Sequence, residues 1–211
     1  LGSTMSDTKG VVPEFAISCI GAIITITMIF AIMFVTSEFS SGTIKNTASK
    51  GYNREFIYSS KLISSIVSFL INAVVIAVST YVVGMIVIGN KIPDAFVIPD
   101  NFVRDLFLDL LIGANLTTFA VMIAFIFRST GPALGVALVY TTFEAQAFSF
   151  ISDKVLKGLM NVDFDLVPYT MSRCLSANNV ADASGLTRGL IVAVVYIAVM
   201  AAVGLYTFRK R

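Results

Sequence analysis

The sequence predicts an all-α protein, a polytopic bundle of transmembrane helices, and three observations carry that reading. Hydrophobic residues make up 56% of the 211 residues, charged residues only 13%, and mean hydropathy is +0.86, well outside the range of soluble domains. Five apolar stretches, approximately residues 15–36, 62–88, 106–127, 133–151 and 190–208, can each cross a hydrocarbon core about 30 Å thick, which takes roughly 20 helical residues. None of them alternates cleanly between apolar and polar residues. In lipid their backbone groups must therefore be paired within each segment, which makes them helices rather than barrel strands.

The first span runs on to about Phe39 before Ser40-Ser41-Gly42 breaks it. Thr43 to Ser49 has length for two short helical turns, and Lys50-Gly51-Tyr52-Asn53 makes a second break, with Asn53 placed to cap the helix that re-enters the membrane. The second span is mostly Ile, Val, Ser and Ala and closes at Gly89-Asn90, before a short loop holding two prolines. Ser129-Thr130-Gly131-Pro132 marks the start of the fourth span with hydroxyl caps and a proline. Residues 152–188 form the longest polar segment. Within it Val155, Leu156, Leu159, Met160 and Phe164 recur at roughly helical spacing, which predicts short amphipathic helices lying at the membrane surface. The whole chain, 1–211, reads as one domain without internal repeats.

Charge sets the expected orientation. With the loop over residues 38–61 inside, eight positive side chains (Lys45, Lys50, Arg54, Lys61, Arg128 and the terminal Arg209-Lys210-Arg211) face seven outside. The inner ones are concentrated in one short loop and the tail, and density in short loops is what orients a membrane protein. The C-terminus is then cytoplasmic, residues 152–188 form an outer segment, and Arg209-Lys210-Arg211 can also meet anionic membrane lipid. An odd number of spans leaves the first residue outside, and the chain opens on Leu1-Gly2-Ser3. A preceding helix, making six spans, is the expectation.

Several chemistries are excluded. The chain has no histidine, no phosphate-cradling Gly-x-x-x-x-Gly-Lys motif, no cysteine pair at metal spacing and no Gly-x-Ser-x-Gly elbow, so the common hydrolase, metal and nucleotide sites cannot be assembled. The protein is expected not to be an enzyme by itself, to hold no metal or cofactor, and to bind no nucleic acid.

Two acidic residues fall inside spans. Glu144 sits between Phe143 and Ala145, where an ionised carboxylate costs about 2.5 to 3.5 kcal/mol on insertion scales. It is read either as a polar point on a substrate path or dimer contact, or as a hydrogen-bonded structural residue with Gln146 nearby. Asp109 lies one turn from Asp105 on one helix face; solvated anchoring, with Arg104 as neutraliser, is preferred over a cation or basic-peptide site. Gly131 and Gly135 form a Gly-x-x-x-Gly that permits close helix contact, read as packing within one subunit ahead of a dimer seam. Cys19 and Cys174 fall on the same side and are expected to be free thiols.

The loop over residues 38–61 resembles the cytoplasmic signature of ABC-2 type permeases, the membrane subunits of a class of ATP-binding cassette exporters. That signature is an acidic residue closing one helix, then Gly-Thr, a basic residue and Arg, with Lys opening the next helix; here these are Glu38, Gly42, Thr43, Lys45, Arg54 and Lys61. The run Ser-Gly-Thr-Ile-Lys-Asn at Ser41 to Asn46 is similar to loops of permeases serving lantibiotic and bacitracin resistance in Gram-positive bacteria. Lys50-Gly51-Tyr52-Asn53 before Arg54 departs from the family pattern, which often has Pro or Ile in that turn. The resemblance implies a coupling helix over Ile44 to Ser49, including Asn46, that docks on a separate ATPase present in two copies. It also implies a permease homodimer or heterodimer in the bacterial plasma membrane that exports an amphipathic or hydrophobic substrate, with a peptide antibiotic favoured. The rival expectation is a non-transporting sensor or assembly scaffold that binds a ligand through its outer segment.

Overall fold

The computed structural model of the chain describes residues 10–88, 95–99, 102–157, 166–171, 174–175 and 183–210. Among them there are no strands. Six α-helices follow in chain order: α1 (Val11–Ser40), the short α2 (Thr43–Ser49), α3 (Arg54–Val87), α4 (Phe102–Phe127), α5 (Thr130–Phe150) and α6 (Ala183–Lys210). Five of these are long and apolar enough to cross a membrane. The protein is thus a multi-pass, all-helical bundle, as the sequence predicts.

The helices outrun the apolar stretches that announce them. α1 has 30 residues and α3 has 34, so α3 alone is about 51 Å long at 1.5 Å per residue. Hydropathy registers only the part that sits in hydrocarbon, whereas the backbone ladder continues through polar turns at either end. Asn53 and Ser129 do occupy the N-cap positions of α3 and α5 in extended conformation, but neither side chain makes a capping hydrogen bond.

α4 is the axis of the bundle. It packs against α1, α3, α5 and α6, and it is far more buried than any other span. Its small residues are the reason: lipid gives no hydrophobic drive between helices, so close approach of backbones decides which faces meet. The phenyl ring of Phe69 on α3 lies directly against Gly113, where a Cβ would come within 2.0 Å of the ring. The buried polar residues of α4 turn inward and donate along the helix, while Asn115 Oδ1 is left without a partner. Thr117 and Thr118 each donate to the carbonyl four residues back at 2.8 Å, and Asn115 Nδ2 donates to Leu111 O at 3.1 Å.

α1, α4 and α6 run in one direction, α3 and α5 in the other. The end carrying α2 is called the loop end here. It is closed by a hydrogen bond between the hydroxyls of Thr36 and Thr130 (2.8 Å) and by Arg54, whose Nη1 donates to the carbonyls of Phe208 and Arg209 at 3.4 Å each. That places a cation on the C-terminal carbonyls of α6, the end of a helix that favours positive charge.

α5 lies at the periphery. A Cβ on Gly131 or Gly135 would meet nothing within 4 Å, which corrects the expectation that these glycines pack within one subunit. After α5 the chain continues as a π-helical turn (Ile151–Lys157) and includes a 3-10 turn (Val167–Tyr169). Thr170, Met171, Cys174 and Leu175 are buried, between 0% and 2% exposed, so these four residues insert into the bundle. Leu159, Met160 and Phe164 of the predicted amphipathic pattern, and the side chains of Val155 and Leu156, lie outside the described residues.

Candidate functional site

The loop end gathers most of the residues singled out by the sequence, and two glycines give it its shape. α1 stops at Ser40; Ser41 N–H returns to Ser37 O (2.9 Å) and Gly42 N–H to Phe39 O (3.3 Å). Gly42 is left-handed at φ 73°, and Gly51, after α2, likewise at φ 86°. L side chains disfavour that region, so glycine at both places lets the chain leave α1, make a short separate helix, and turn back into α3.

Glu38 and Lys61 meet across this turn. Lys61 Nζ donates to Glu38 Oε1 at 2.5 Å, with both side chains about four-fifths covered. The ammonium also stands 4.8 Å from the centre of the Phe34 ring. The pair therefore ties the end of α1 to the first turns of α3, and both charges are directed at each other rather than at solvent. Arg54, as described, grips the end of α6. Glu55 beside it forms an exposed ion pair with Arg209 at 3.4 Å, of the kind that contributes little to stability.

On α2 itself, Ile44 points inward. It is 6% exposed and belongs to the main buried cluster. Thr43 and Asn46 face outward; Thr43 Oγ1 pairs with Ser41 Oγ at 2.9 Å, and its carbonyl accepts from Thr47 Oγ1 at 2.9 Å. The backbone of Lys45 lies in α2, while its side chain lies outside the described residues. Beside α2 the rings of Tyr52 and Phe56 stack 6.2 Å apart and are 54% and 62% exposed.

Beneath α2 sits an aromatic cluster that sequence reasoning missed. Phe125 of α4 makes edge contacts with Phe39 of α1 (5.4 Å), Tyr58 of α3 (4.8 Å) and Phe208 of α6 (5.0 Å). Tyr58 fits because position 204 is glycine: a Cβ there would lie 2.2 Å from the phenol oxygen. Arg128, left-handed at φ 54° where α4 ends, sets its guanidinium 5.6 Å from the Phe39 ring. Four helices are thus joined by rings at the level of the short helix. The available signal was a set of aromatics near span ends, which by itself also fits an interfacial belt.

Glu144 lies toward the opposite end and is 3% exposed. Its Oε1 accepts the Met171 backbone N–H at 2.5 Å and the Tyr140 hydroxyl at 3.3 Å. The expected neighbour Gln146 is on an exposed face instead. The carboxylate thus pins the buried residues after α5 back to that helix, and the Tyr196 hydroxyl adds a second pin by donating to Tyr169 O at 3.1 Å. Burial, with the nearby Glu144 charge, pushes the Cys174 thiol up to about 11; Cys174 and Cys19 are both free. Asp109 is half-buried on α4, and Arg104 pairs with Asp105 at 3.0 Å rather than with it. Glu144 and Asp109 are therefore not brought together with the loop residues. Among the described residues no three acidic or cysteine side chains gather as a metal site would require.

Neither a curated protein nor a solved structure matches the chain. The chain belongs to the family described as Protein of unknown function (DUF2705), which matches residues 3–211.

Proposed function

We propose that this protein is the membrane-spanning permease subunit of an ATP-binding cassette exporter of the ABC-2 type. It moves an amphipathic or hydrophobic substrate, with a peptide antibiotic favoured, across the bacterial plasma membrane. A separate ATPase, in two copies, drives a permease dimer from the loop end, which is cytoplasmic. One observation carries the reading: a seven-residue helix, α2, hung between two long spans on left-handed glycines, with Ile44 set into the buried cluster and a polar face left outside.

That arrangement suits force transfer. A rigid short helix pushed from outside cannot move alone, because Ile44 is packed below it and the Glu38–Lys61 pair binds its two flanking helices to each other. Displacement passes to α1 and α3 and, through the ring cluster, to α4 and α6 as rigid-body motion. The docking face this predicts is Thr43, Asn46 and the Tyr52–Phe56 stack; Ile44, Glu38 and Lys61 serve behind it as transmission. The rival sensor reading places ligand binding in the outer segment. Among the described residues there, Thr170, Met171, Cys174 and Leu175 are buried in internal packing, whereas the loop end presents exposed side chains on a separate short helix.

The test is export. In cells carrying the permease and its partner ATPase, Thr47→Pro or Lys45→Glu is expected to abolish substrate efflux while the protein still inserts and accumulates. Unchanged efflux in both variants would remove the coupling role from α2.

A further inference from the structure

A groove of about 370 Å3 opens on the side of the bundle between α1 and α3. Its two walls differ in character. α3 supplies Ser64, Ser65, Ser68 and Asn72, while α1 supplies the rings of Phe30 and Phe34. Positions 64, 68 and 72 are one turn apart and so share a helix face. All lie within stretches apolar enough to sit in hydrocarbon, just beyond the Glu38–Lys61 pair.

Ser64, Ser68 and Asn72 are exposed there. A hydroxyl or amide facing lipid tails has no water to bond with, so such groups belong in front of a polar partner. Asn72 Nδ2 donates to Ser68 O at 2.9 Å. Ser65, at the inner edge of the same wall, is 4% exposed, and its Oγ has no hydrogen-bond partner.

The chemistry of the occupant follows from the walls. None of the lining side chains carries a charge, and the nearest charges, Glu38 and Lys61, neutralise each other. A charged head would stay uncompensated, so the head is neutral. Phe30 and Phe34 are 64% and 44% exposed and stand proud of α1. Between these rings and the serine wall there is room for a thin hydrocarbon chain. The volume lies within the range of small-molecule sites, about 300–1,000 Å3. A second groove nearer the other end, about 300 Å3, is lined mainly by valine and other apolar residues with Ser79 and Thr80, and the Ser79 hydroxyl is already bonded to Ile76 O at 2.9 Å.

We propose that the α1–α3 groove binds a neutral amphiphile drawn sideways from the bilayer. Its hydroxyl, ester or amide head lies against Ser64, Ser68 and Asn72, and its chain lies between the rings of Phe30 and Phe34. The inference goes beyond the exporter reading and does not require it, since such a site would serve a sensor equally.

The experiment uses the full chain in phospholipid nanodiscs with a diazirine-bearing monoacylglycerol, and adducts are mapped by peptide mass spectrometry. Labelling is expected to saturate, to concentrate on residues 30–34 and 64–72, and to be competed by unlabelled monooleoylglycerol. Ser68→Leu, which removes a hydroxyl and adds bulk, and the pair Ser68→Ala with Asn72→Ala, which removes two hydrogen-bonding groups, are each expected to cut saturable labelling by about tenfold, in line with loss of one or two buried hydrogen bonds. Val82→Leu, outside the groove, should leave labelling unchanged. Even, unsaturable labelling along α3, or saturable labelling indifferent to the alanine pair, would overturn the proposal. So would efficient disulfide formation between two copies carrying Ser68→Cys, because a second chain would then fill the groove.

Discussion

A Cβ on Gly113 would lie 2.0 Å from Phe69 Cζ, and one on Gly204 would lie 2.2 Å from the Tyr58 hydroxyl. At both sites a ring has taken the place of a side chain, and neither ring can retreat without disturbing the bundle. Gly113→Ala is therefore expected to cost about 1–3 kcal/mol, the usual penalty for overpacking, read as a lower thermal midpoint of the purified protein in detergent. Tyr58→Phe should act in the other direction. The phenol oxygen is buried without a partner, and an unmet buried donor costs about 1–3 kcal/mol, so removing it should leave the midpoint unchanged or raise it. A drop of several degrees would show that the hydroxyl has a partner after all. Cys174 gives a chemical probe of the same packing. Its thiol is held near pKa 11, first by burial and then by Glu144, so at pH 7.4 little thiolate forms. Maleimide should label Cys174 at least about tenfold more slowly in the folded protein than in the denatured chain, and its rate should climb with pH toward 11. None of these contacts was legible beforehand, since a glycine within an apolar run looks alike whether a ring, a lipid or nothing lies against it.

Among the elements, α2 was the most legible and the segment after α5 the least. The loop is bounded by Gly42 and Gly51, and left-handed turns at glycine follow from chain sterics, so the sequence already implied helix, break, short helix, break, helix. Replacing either glycine by alanine is expected to cost about 1 kcal/mol in backbone strain and to weaken export more than stability, because the orientation of α2 would shift. Which face of α2 turns inward could not be read, because seven residues with one strongly apolar side chain carry almost no periodicity; the structure puts Ile44 there. Past α5, Glu144 holds the Met171 N–H, and Thr170, Met171, Cys174 and Leu175 are buried in the bundle, a long-range contact with no local signature. Glu144→Ala should release that segment, leaving a buried N–H unpaired. Faster maleimide labelling of Cys174, with the spans intact by circular dichroism, is the expected outcome; unchanged labelling would mean that Tyr196 and Tyr169 hold the segment alone.

For the whole molecule, the number and order of spans followed from hydropathy, but their arrangement did not. Five apolar stretches of similar length give no order of packing, and α4 emerges as the axis only because Gly113, Ala120 and Ala124 let α1, α3 and α6 approach it. The rings of Phe39, Tyr58, Phe125 and Phe208 then bind those four helices at the loop end, where α2 packs on α1 and α3. A load placed on α2 is thus shared by most of the bundle, while α5 and its open Gly131 and Gly135 stay at the edge. The central claim is that α2 receives such a load from a nucleotide-hydrolysing partner. The most direct measurement is to purify this protein together with a candidate ATP-binding cassette subunit and follow complex formation and ATP hydrolysis with residues 43–49 intact or replaced by a Gly-Ser linker. The account predicts a stable complex whose hydrolysis responds to this protein and which loses both properties when α2 is replaced. A complex that forms and hydrolyses equally well without α2 would contradict it.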